Sequence, residues 1–144
     1  MEERDPSCPA RRSDCPIANA LDLIGDKWTL LVIRDLLFLG NRRFGELLSS
    51  PEKIPTNILS DRLRRLEDCG LVVKVSYQER PPRYEYQLTA KGVDLFPVLR
   101  ALSQWANRHI PGTMTPPPEF VAQAEERIRK AAAGRHEPRV ETRG

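Results

Sequence analysis

The 144-residue sequence lacks the features that several classes of protein require. Its three cysteines include no Cys-x-x-Cys pair, which disfavours both a disulfide scaffold and a zinc site. The longest apolar run, Leu30 to Leu39, is interrupted by Arg34 and Asp35 and so predicts no membrane span. The chain opens on charged residues rather than an apolar leader, which predicts a cytoplasmic protein without a membrane partner.

Residues suited to catalysis are also scarce. The two histidines, His109 and His136, are not placed near a candidate nucleophile in any recognisable pattern. No glycine-rich loop of the kind that cradles phosphates is present. We therefore expect no enzyme activity, no cofactor and no metal.

Charge and proline divide the chain into three parts. The net charge is +3, and residues 15–118 carry 14 basic and 11 acidic residues, which accounts for the whole surplus. The sequence predicts a flexible arm over residues 1–14, a patterned domain over residues 15–112, and a proline-rich linker with an extension over residues 113–144. Within the extension, a helix is expected from about 119 to 133.

The hydrophobic pattern of the domain changes from helical to strand-like near its middle. Helices are predicted over about 16–24, 28–39, 44–48 and 55–69, followed by strands over 71–77 and 84–88. A last helix should begin after the cap residue Thr89 and reach about His109, with Pro97 either bending it or removing one of its hydrogen bonds. This order predicts a mainly α fold with a small β-hairpin, the arrangement of a winged helix-turn-helix.

The helix after Pro55 is the candidate reader of DNA bases. Leu59, Leu63 and Leu66 form its apolar face. Its remaining surface carries residues whose side chains suit base edges and phosphates: Thr56, Asn57, Ser60, Asp61, Arg64 and Arg65. An ordinary solvated helix surface explains these residues equally well, since acidic and basic side chains nearly balance there.

The cations outside this helix favour DNA. Arg80 and Arg83 flank Pro81-Pro82 at the hairpin tip, where a stiff turn suits a minor groove or a phosphate ridge. Arg42 and Arg43 precede the first helix of the motif and could contact the other phosphate strand. The alternative is a winged helix that binds only another protein, and such an interface should tolerate added salt far better than DNA contacts do.

An ordered set of motifs resembles the HxlR-type winged helix-turn-helix regulators over about Cys15 to Pro111. The matching segments are Cys15-Pro16, Ile24-Gly25-Asp26-Lys27-Trp28-Thr29, Arg43-Phe44, Glu46-Leu47, Leu63-Arg64-Arg65-Leu66-Glu67, Gly70-Leu71-Val72, Pro81-Pro82-Arg83-Tyr84-Glu85-Tyr86, Leu88-Thr89 and Trp105. The resemblance implies a homodimeric transcription factor, repressor or activator, that binds double-stranded DNA at inverted repeats. It also implies that the first and the long C-terminal helix form the dimer.

Two apolar stripes require a partner surface. One runs through Ile17, Leu21 and Ile24, and the other runs through Leu95, Leu99, Leu102 and Trp105. A two-fold dimer through both stripes would place two reading helices symmetrically, as a palindrome requires. Alternatively, both stripes complete the core of a single protomer.

Cys15 is the candidate redox-sensing residue, because several members of the resembled family sense electrophiles or oxidants at the matching cysteine. Pro16 places Cys15 just outside a helix N-terminus, where the helix dipole favours a thiolate, although Asp14 opposes this effect. Packing at the dimer seam is the alternative role. Cys8 could act as a resolving partner, and Cys69 is expected to be a small apolar filler.

Overall fold

The computed structural model describes residues 11–134, except for the side chains of residues 131–134. Its elements are α1 (Pro16–Ile24), α2 (Thr29–Leu39), α3 (Phe44–Leu48), α4 (Thr56–Asp68), β1 (Val72–Gln78), β2 (Arg83–Leu88), α5 (Ala90–Val93), α6 (Phe96–His109) and α7 (Pro118–Gly134). The predicted mainly helical fold with one small hairpin is therefore confirmed. Most of the predicted arm over residues 1–14 lies outside the described residues. No helix of the described part is long and apolar enough to cross a membrane.

The α2 helix forms the centre of the core. Its side chains Ile33 and Leu37 are fully buried, and Leu59 and Leu63 of α4 are buried to the same degree. An apolar surface on nearly every side of α2 fits this central position. The one buried charge of α2, Asp35, accepts hydrogen bonds from Ser50 and from Arg34. The core thus lies between α2 and α4 and fixes how α4 is presented.

The hairpin pairs β1 with β2 in antiparallel register, from Val72 opposite Leu88 to Gln78 opposite Arg83. Residues 79–82 form its tip, which confirms that the two prolines exclude a two-residue turn. Just before α3, Arg42 forms an isolated antiparallel β-bridge with Tyr86 of β2, in which the N–H of Arg42 donates to the carbonyl of Tyr86 at 3.1 Å. This bridge joins the hairpin to the start of α3.

The prediction of a single helix from Thr89 to about His109 is wrong. The chain forms two helices, with α5 ending at Val93 and α6 beginning at Phe96, so Pro97 lies in the first turn of α6. Proline has no N–H for the carbonyl four residues earlier but fits a first turn, where that N–H has no partner in any case. Thr89 does cap α5, since its hydroxyl accepts the Gly92 N–H at 3.2 Å.

The extension contributes a helix to the packed domain. The α7 helix contacts α2 and α5, and its Ala124 is fully buried in a second cluster with Leu37, Val93 and Phe96. Arg127 donates a hydrogen bond to the carbonyl of Leu37, near the C-terminal end of α2. The expected helix over about 119–133 is confirmed, and it lies against the core rather than apart from it.

Candidate nucleic-acid interface

The α4 helix presents a polar surface because its apolar face is completely used by the core. Leu59, Leu63 and Leu66 are each no more than 1% exposed. The side chains of Thr56, Asn57, Ser60 and Arg64 are exposed and make no hydrogen bond or ion pair with another described residue. These four predicted residues are therefore brought together, with unoccupied donors and acceptors, on one surface that begins at the helix N-terminus.

Two other residues predicted on α4 are already engaged within the protomer. Arg65 is half-buried and donates to the backbone carbonyl of Asp22 in α1. Asp61 pairs with its neighbour Arg62. A helical wheel places Arg65 away from the leucine stripe, but it does not show that α1 packs against that side of α4.

A charged network fixes α4 to the start of α2. Asp26 accepts hydrogen bonds from the backbone N–H groups of Trp28 and Thr29 at 3.1 Å, and from Arg62 Nε at 2.9 Å. Burial opposes ionisation of this carboxyl, but the hydrogen bonds from Thr29, Arg62 and Trp28 outweigh burial and lower the pKa of Asp26 to about 2. One oxygen of the ionised carboxylate, Oδ2, therefore binds the start of α2 and also holds α4 through Arg62.

The two arginines before α3 have different surroundings. Arg42 donates to Glu46 at 2.8 Å and has a buried Nε without a hydrogen-bond partner. Arg43 is exposed, its Nε lies 3.9 Å from Glu46 Oε1, and its guanidinium carbon lies 4.7 Å from the centroid of the Tyr77 ring. Of the two, Arg43 is the cation presented to solvent.

An open groove joins the start of α3 to the hairpin. Its volume is about 670 Å³, and its lining combines three cations, Arg43, Lys74 and Arg83, and one acid, Glu46, with the aromatic residues Phe44, Tyr77, Tyr84 and Tyr86. Lys74 Nζ lies 4.8 Å above the Tyr84 ring. Cations held over aromatic faces lose little freedom when they bind an anion, so this groove suits phosphate groups.

The hairpin tip presents two further predicted residues. Arg80 and Arg83 are exposed, and their side chains form no ion pair with a described residue. Sequence reasoning missed Lys74, Tyr77 and Tyr84. The signal for Lys74 and Tyr84 was the cross-strand register, in which Tyr84 lies opposite Ser76 and Lys74 opposite Tyr86, whereas Tyr77 lies at the irregularity of this register.

The comparisons with known proteins agree with this geometry. The model of the HxlR-like helix-turn-helix family matches residues 23–114. The chain belongs to this family. The winged helix-turn-helix resemblance stated from the sequence is confirmed.

Two solved structures and one curated relative illustrate the family. The crystal structure of PA1607 is 41% identical, with a TM-score of 0.63 and coverage of 73% of each chain. The redox regulator HypR, in its oxidized form, is 33% identical, with a TM-score of 0.58 over 66% of this chain and 97% of its own. An uncharacterized HTH-type transcriptional regulator of Mycobacterium tuberculosis is 44% identical over 101 residues, which are 70% of this chain and 63% of the relative's length.

The two apolar stripes of this HxlR-like chain are each partly covered by its own core. Ile24 is 8% exposed, whereas Ile17 is 69% and Leu21 is 53% exposed. Leu95, just before α6, and Leu99 on α6 pack partly on the protomer core. Further along α6, Leu102 is 50% and Trp105 is 54% exposed. Each helix thus keeps large apolar side chains in contact with water.

Cys15 has the position expected of a cysteine at a helix start. It is the N-cap residue of α1, Pro16 follows it in the first turn, and it is an exposed free cysteine. Its carbonyl accepts a hydrogen bond from the Asn19 side chain at 2.8 Å. Cys69 is buried in the core, as expected of a filler, but it is also disulfide-bonded. The predicted resolving role of Cys8 falls outside the described residues.

Proposed function

We propose that the chain is a sequence-specific DNA-binding transcriptional regulator that acts in the cytoplasm as a homodimer on a palindromic operator. The observation that carries the proposal is the contrast between engaged and available polar groups around α4. Arg62, Arg65 and Asp61 are bonded inside the protomer, whereas Thr56, Asn57, Ser60 and Arg64 are not. The exposed set has the donors and acceptors that read bases in a major groove.

The groove between α3 and the hairpin supports the same function. Its cations, together with Arg80 at the tip, supply the positive charge that phosphate contacts require. Arg42, in contrast, is proposed to act indirectly by holding the start of α3, because its side chain is bonded to Glu46. DNA backbone and DNA bases would thus be contacted by different elements, the hairpin and α4.

Selection of bound duplexes from random DNA, followed by salt titration of the selected site, tests the proposal. Affinity should fall by about 0.9 log units per log unit of salt for each phosphate neutralised. Arg83→Ala should weaken binding to most sequences and flatten this slope. Arg64→Ala should change the preferred base at one position per half-site, at a cost of about 1–3 kcal/mol if the contact is bidentate.

A matched control and two opposing outcomes complete this test. Arg129→Ala removes another exposed arginine, on α7, and should leave binding and slope unchanged. Affinity that does not vary between low and physiological salt would identify a protein-binding winged helix instead. Equal effects of the Arg83 and Arg129 substitutions would contradict the role proposed for the hairpin.

The dimer is proposed from the apolar side chains that the protomer leaves exposed. Ile17 and Leu21 on α1, with Leu102 and Trp105 on α6, form the proposed contact between two copies. Leu102→Asp should give a monomer by light scattering at micromolar concentration and lose affinity for the palindrome. Leu99 is less available for this contact between copies, because it packs partly on the protomer core. Wild-type protein that is itself monomeric under these conditions would refute the dimer.

A redox-sensing role for Cys15 is a second candidate, favoured by its free and exposed position at the start of α1. The thiolate would add to an electrophile such as a quinone, forming a carbon–sulfur bond next to the proposed dimer surface. The similarity to the redox regulator HypR supports this role. Quinone titration of operator binding should release wild-type protein but not Cys15→Ser. Identical release of both would leave Cys15 a structural residue.

A further inference from the structure

A cavity lies beside α6, away from the proposed DNA-contacting groove. Its volume is about 290 Å³, and it is bordered by α2, by α6 and by the segment that leads to α7. The lining that matters chemically consists of Phe38, Phe96, Leu99, Arg100, Ser103 and Gln104. Thr115 and Pro116 form another wall, and both follow the last residue of the family match, residue 114. One wall of the cavity therefore comes from outside the family's matched region.

Two aromatic rings give the cavity an apolar side. Phe38 of α2 and Phe96 of α6 have ring centroids 6.2 Å apart, in an edge-to-face arrangement at 60°. Leu99 lies next to them and packs partly on the core. A third ring placed against this pair would add further contacts of the same favourable geometry. The apolar side therefore suits an aromatic ligand.

Polar groups without strong partners lie on the α6 side of the cavity. Arg100 Nη1 is 3.4 Å from Glu125 Oε1, a long distance for an ion-paired hydrogen bond, and both side chains are about half exposed. Ser103 and Gln104 form no side-chain hydrogen bond with another described residue. Arg34 also lines the cavity, but Glu52 holds it through two bonds of 2.7 and 2.9 Å. Arg100 is thus the cation available to an anion here.

The wall beyond α6 is held in place by hydrogen bonds. Asn107 Nδ2 donates to Thr113 Oγ1 at 3.0 Å and to the Met114 carbonyl at 3.2 Å. The Thr113 hydroxyl in turn donates to the carbonyl of Ile110 at 3.0 Å. These contacts fix the chain just before Thr115, so the cavity has a formed wall on this side.

We propose that this cavity binds a small aromatic carboxylate, with its ring against Phe38 and Phe96 and its carboxylate on Arg100, assisted by Ser103 and Gln104. The volume is just below the range of about 300–1,000 Å³ found for small-molecule sites, which limits the ligand to one or two fused rings. A mostly apolar pocket with a few directed polar groups is the usual composition of such sites.

Ligand binding at this position would act on the proposed dimer helix. Leu102 and Trp105, which are exposed, are on the same helix as Arg100 and Ser103, which line the cavity. A bound ligand that shifts α6 would change the separation of the two α4 helices in a dimer. This regulatory step rests on the proposed function, whereas the binding itself does not.

Calorimetric titration of the full-length chain with 1-naphthoate, in the absence of DNA, tests the binding. One naphthoate should bind per chain, and its neutral isostere 1-naphthamide should bind at least about tenfold more weakly, because hydrogen bonds to charged groups are the stronger ones. Absence of saturable naphthoate binding would overturn the proposal. Equal binding of the two compounds would overturn the carboxylate class.

Three variants locate the site. Arg100→Gln should weaken naphthoate binding about tenfold or more, and Ser103→Phe should abolish binding by filling the cavity. Arg108→Gln removes an exposed cation from the same helix outside the cavity lining and should leave binding unchanged. Circular dichroism checks that each variant is folded. If Ser103→Phe is not folded, Arg100→Gln still decides the test. Naphthoate binding that is unaffected by Arg100→Gln would place the ligand elsewhere and overturn the assignment.

A separate titration with operator DNA measures regulation. If the chain binds DNA, saturating naphthoate should change operator affinity in wild type but not in Arg100→Gln. Loss of DNA binding in all samples would refute the proposed function and leave the calorimetric result standing. DNA affinity that is unchanged at saturating naphthoate would refute the regulatory step alone.

Discussion

Replacement of Asp26 by asparagine tests how the start of α2 holds the candidate reading helix α4. Asp26 accepts backbone N–H groups from the first turn of α2 and pairs with Arg62 of α4, so its negative charge serves both helices. Asparagine retains one acceptor oxygen but loses the charge. The protein should therefore lose stability near neutral pH, and α4 should lose a fixed contact.

The magnitude follows from the pKa of Asp26. Its lowering from 3.8 to about 2 corresponds to about 2.5 kcal/mol, at about 1.4 kcal/mol per pH unit. The side chain is 23% exposed, so solvent screening makes this value an upper estimate. Because the folded-state pKa is below the unfolded one, this stability is fully present above pH 4 and is lost as the pH falls towards 2.

Urea unfolding of wild type and Asp26→Asn between pH 7 and pH 2.5 measures the effect. The difference in unfolding free energy should be about 2 kcal/mol at pH 7 and should shrink steadily below pH 4. Asp61→Asn is the matched control, since Asp61 also pairs with Arg62 but is 65% exposed, and it should change stability by less than about 1 kcal/mol. A wild-type to Asp26→Asn difference that stays constant with pH would refute the reasoning.

Two further substitutions test close packing and the cations of the groove. Gly92→Ala should destabilise the fold by about 1–3 kcal/mol, because its Cβ would lie 2.3 Å from the carbonyl oxygen of Leu71, which accepts the Thr89 N–H. Gly45→Ala is the control and should not be destabilising, because a Cβ there meets open space. Equal losses of the two variants in urea unfolding would count against this argument. Tyr77→Leu should weaken DNA binding about two- to fivefold, because it removes the aromatic face under Arg43, whereas Tyr77→Phe should not weaken binding. Equal DNA affinities of the two variants would contradict the cation–π contribution.

Hydrophobic periodicity in the sequence predicted those elements in which the spacing of the element's own residues decides which side chains are buried. The α4 leucine stripe is buried as its spacing requires, and Pro16 begins α1. The same reasoning does not detect what a neighbouring element decides. It lists Arg65 among the predicted DNA contacts, and a wheel cannot show that Arg65 donates a hydrogen bond to the Asp22 carbonyl of α1. It also placed Pro97 inside a helix rather than in the first turn of a new helix.

The candidate interface was less predictable than the fold for a related reason. Which arginines remain available depends on which acids reach them in space, and Glu46 takes up Arg42 while Asp26 takes up Arg62. The cation–aromatic pair of Arg43 and Tyr77 joins residues 34 positions apart in sequence and follows from the attachment of the hairpin to α3. Spacing within one element carries no information on such contacts.

The docking of α7 gives a last prediction, because two different changes should have the same energetic consequence. Val121, Ala124 and Ile128 contact the cluster of Leu37, Val93 and Phe96, and Ala124 is fully buried. Val121 and Ile128 are only half-buried, so the burial of these three side chains contributes about 2 kcal/mol in total after allowance for ordering the helix. Truncation after Thr115 should lower the free energy of unfolding by about this amount.

Ala124→Glu should cost the same amount and no more. Burial of an unpaired carboxylate would be far more expensive than about 2 kcal/mol, but undocking of α7 is always available and sets the upper limit of the loss. Glu126→Gln, on the exposed side of α7, is the matched control and should have little effect in urea unfolding. If truncation and Ala124→Glu both leave stability unchanged, α7 does not pack on the core in solution. A loss for truncation alone would mean that position 124 is not in the contact, because a buried glutamate cannot be tolerated where Ala124 now packs.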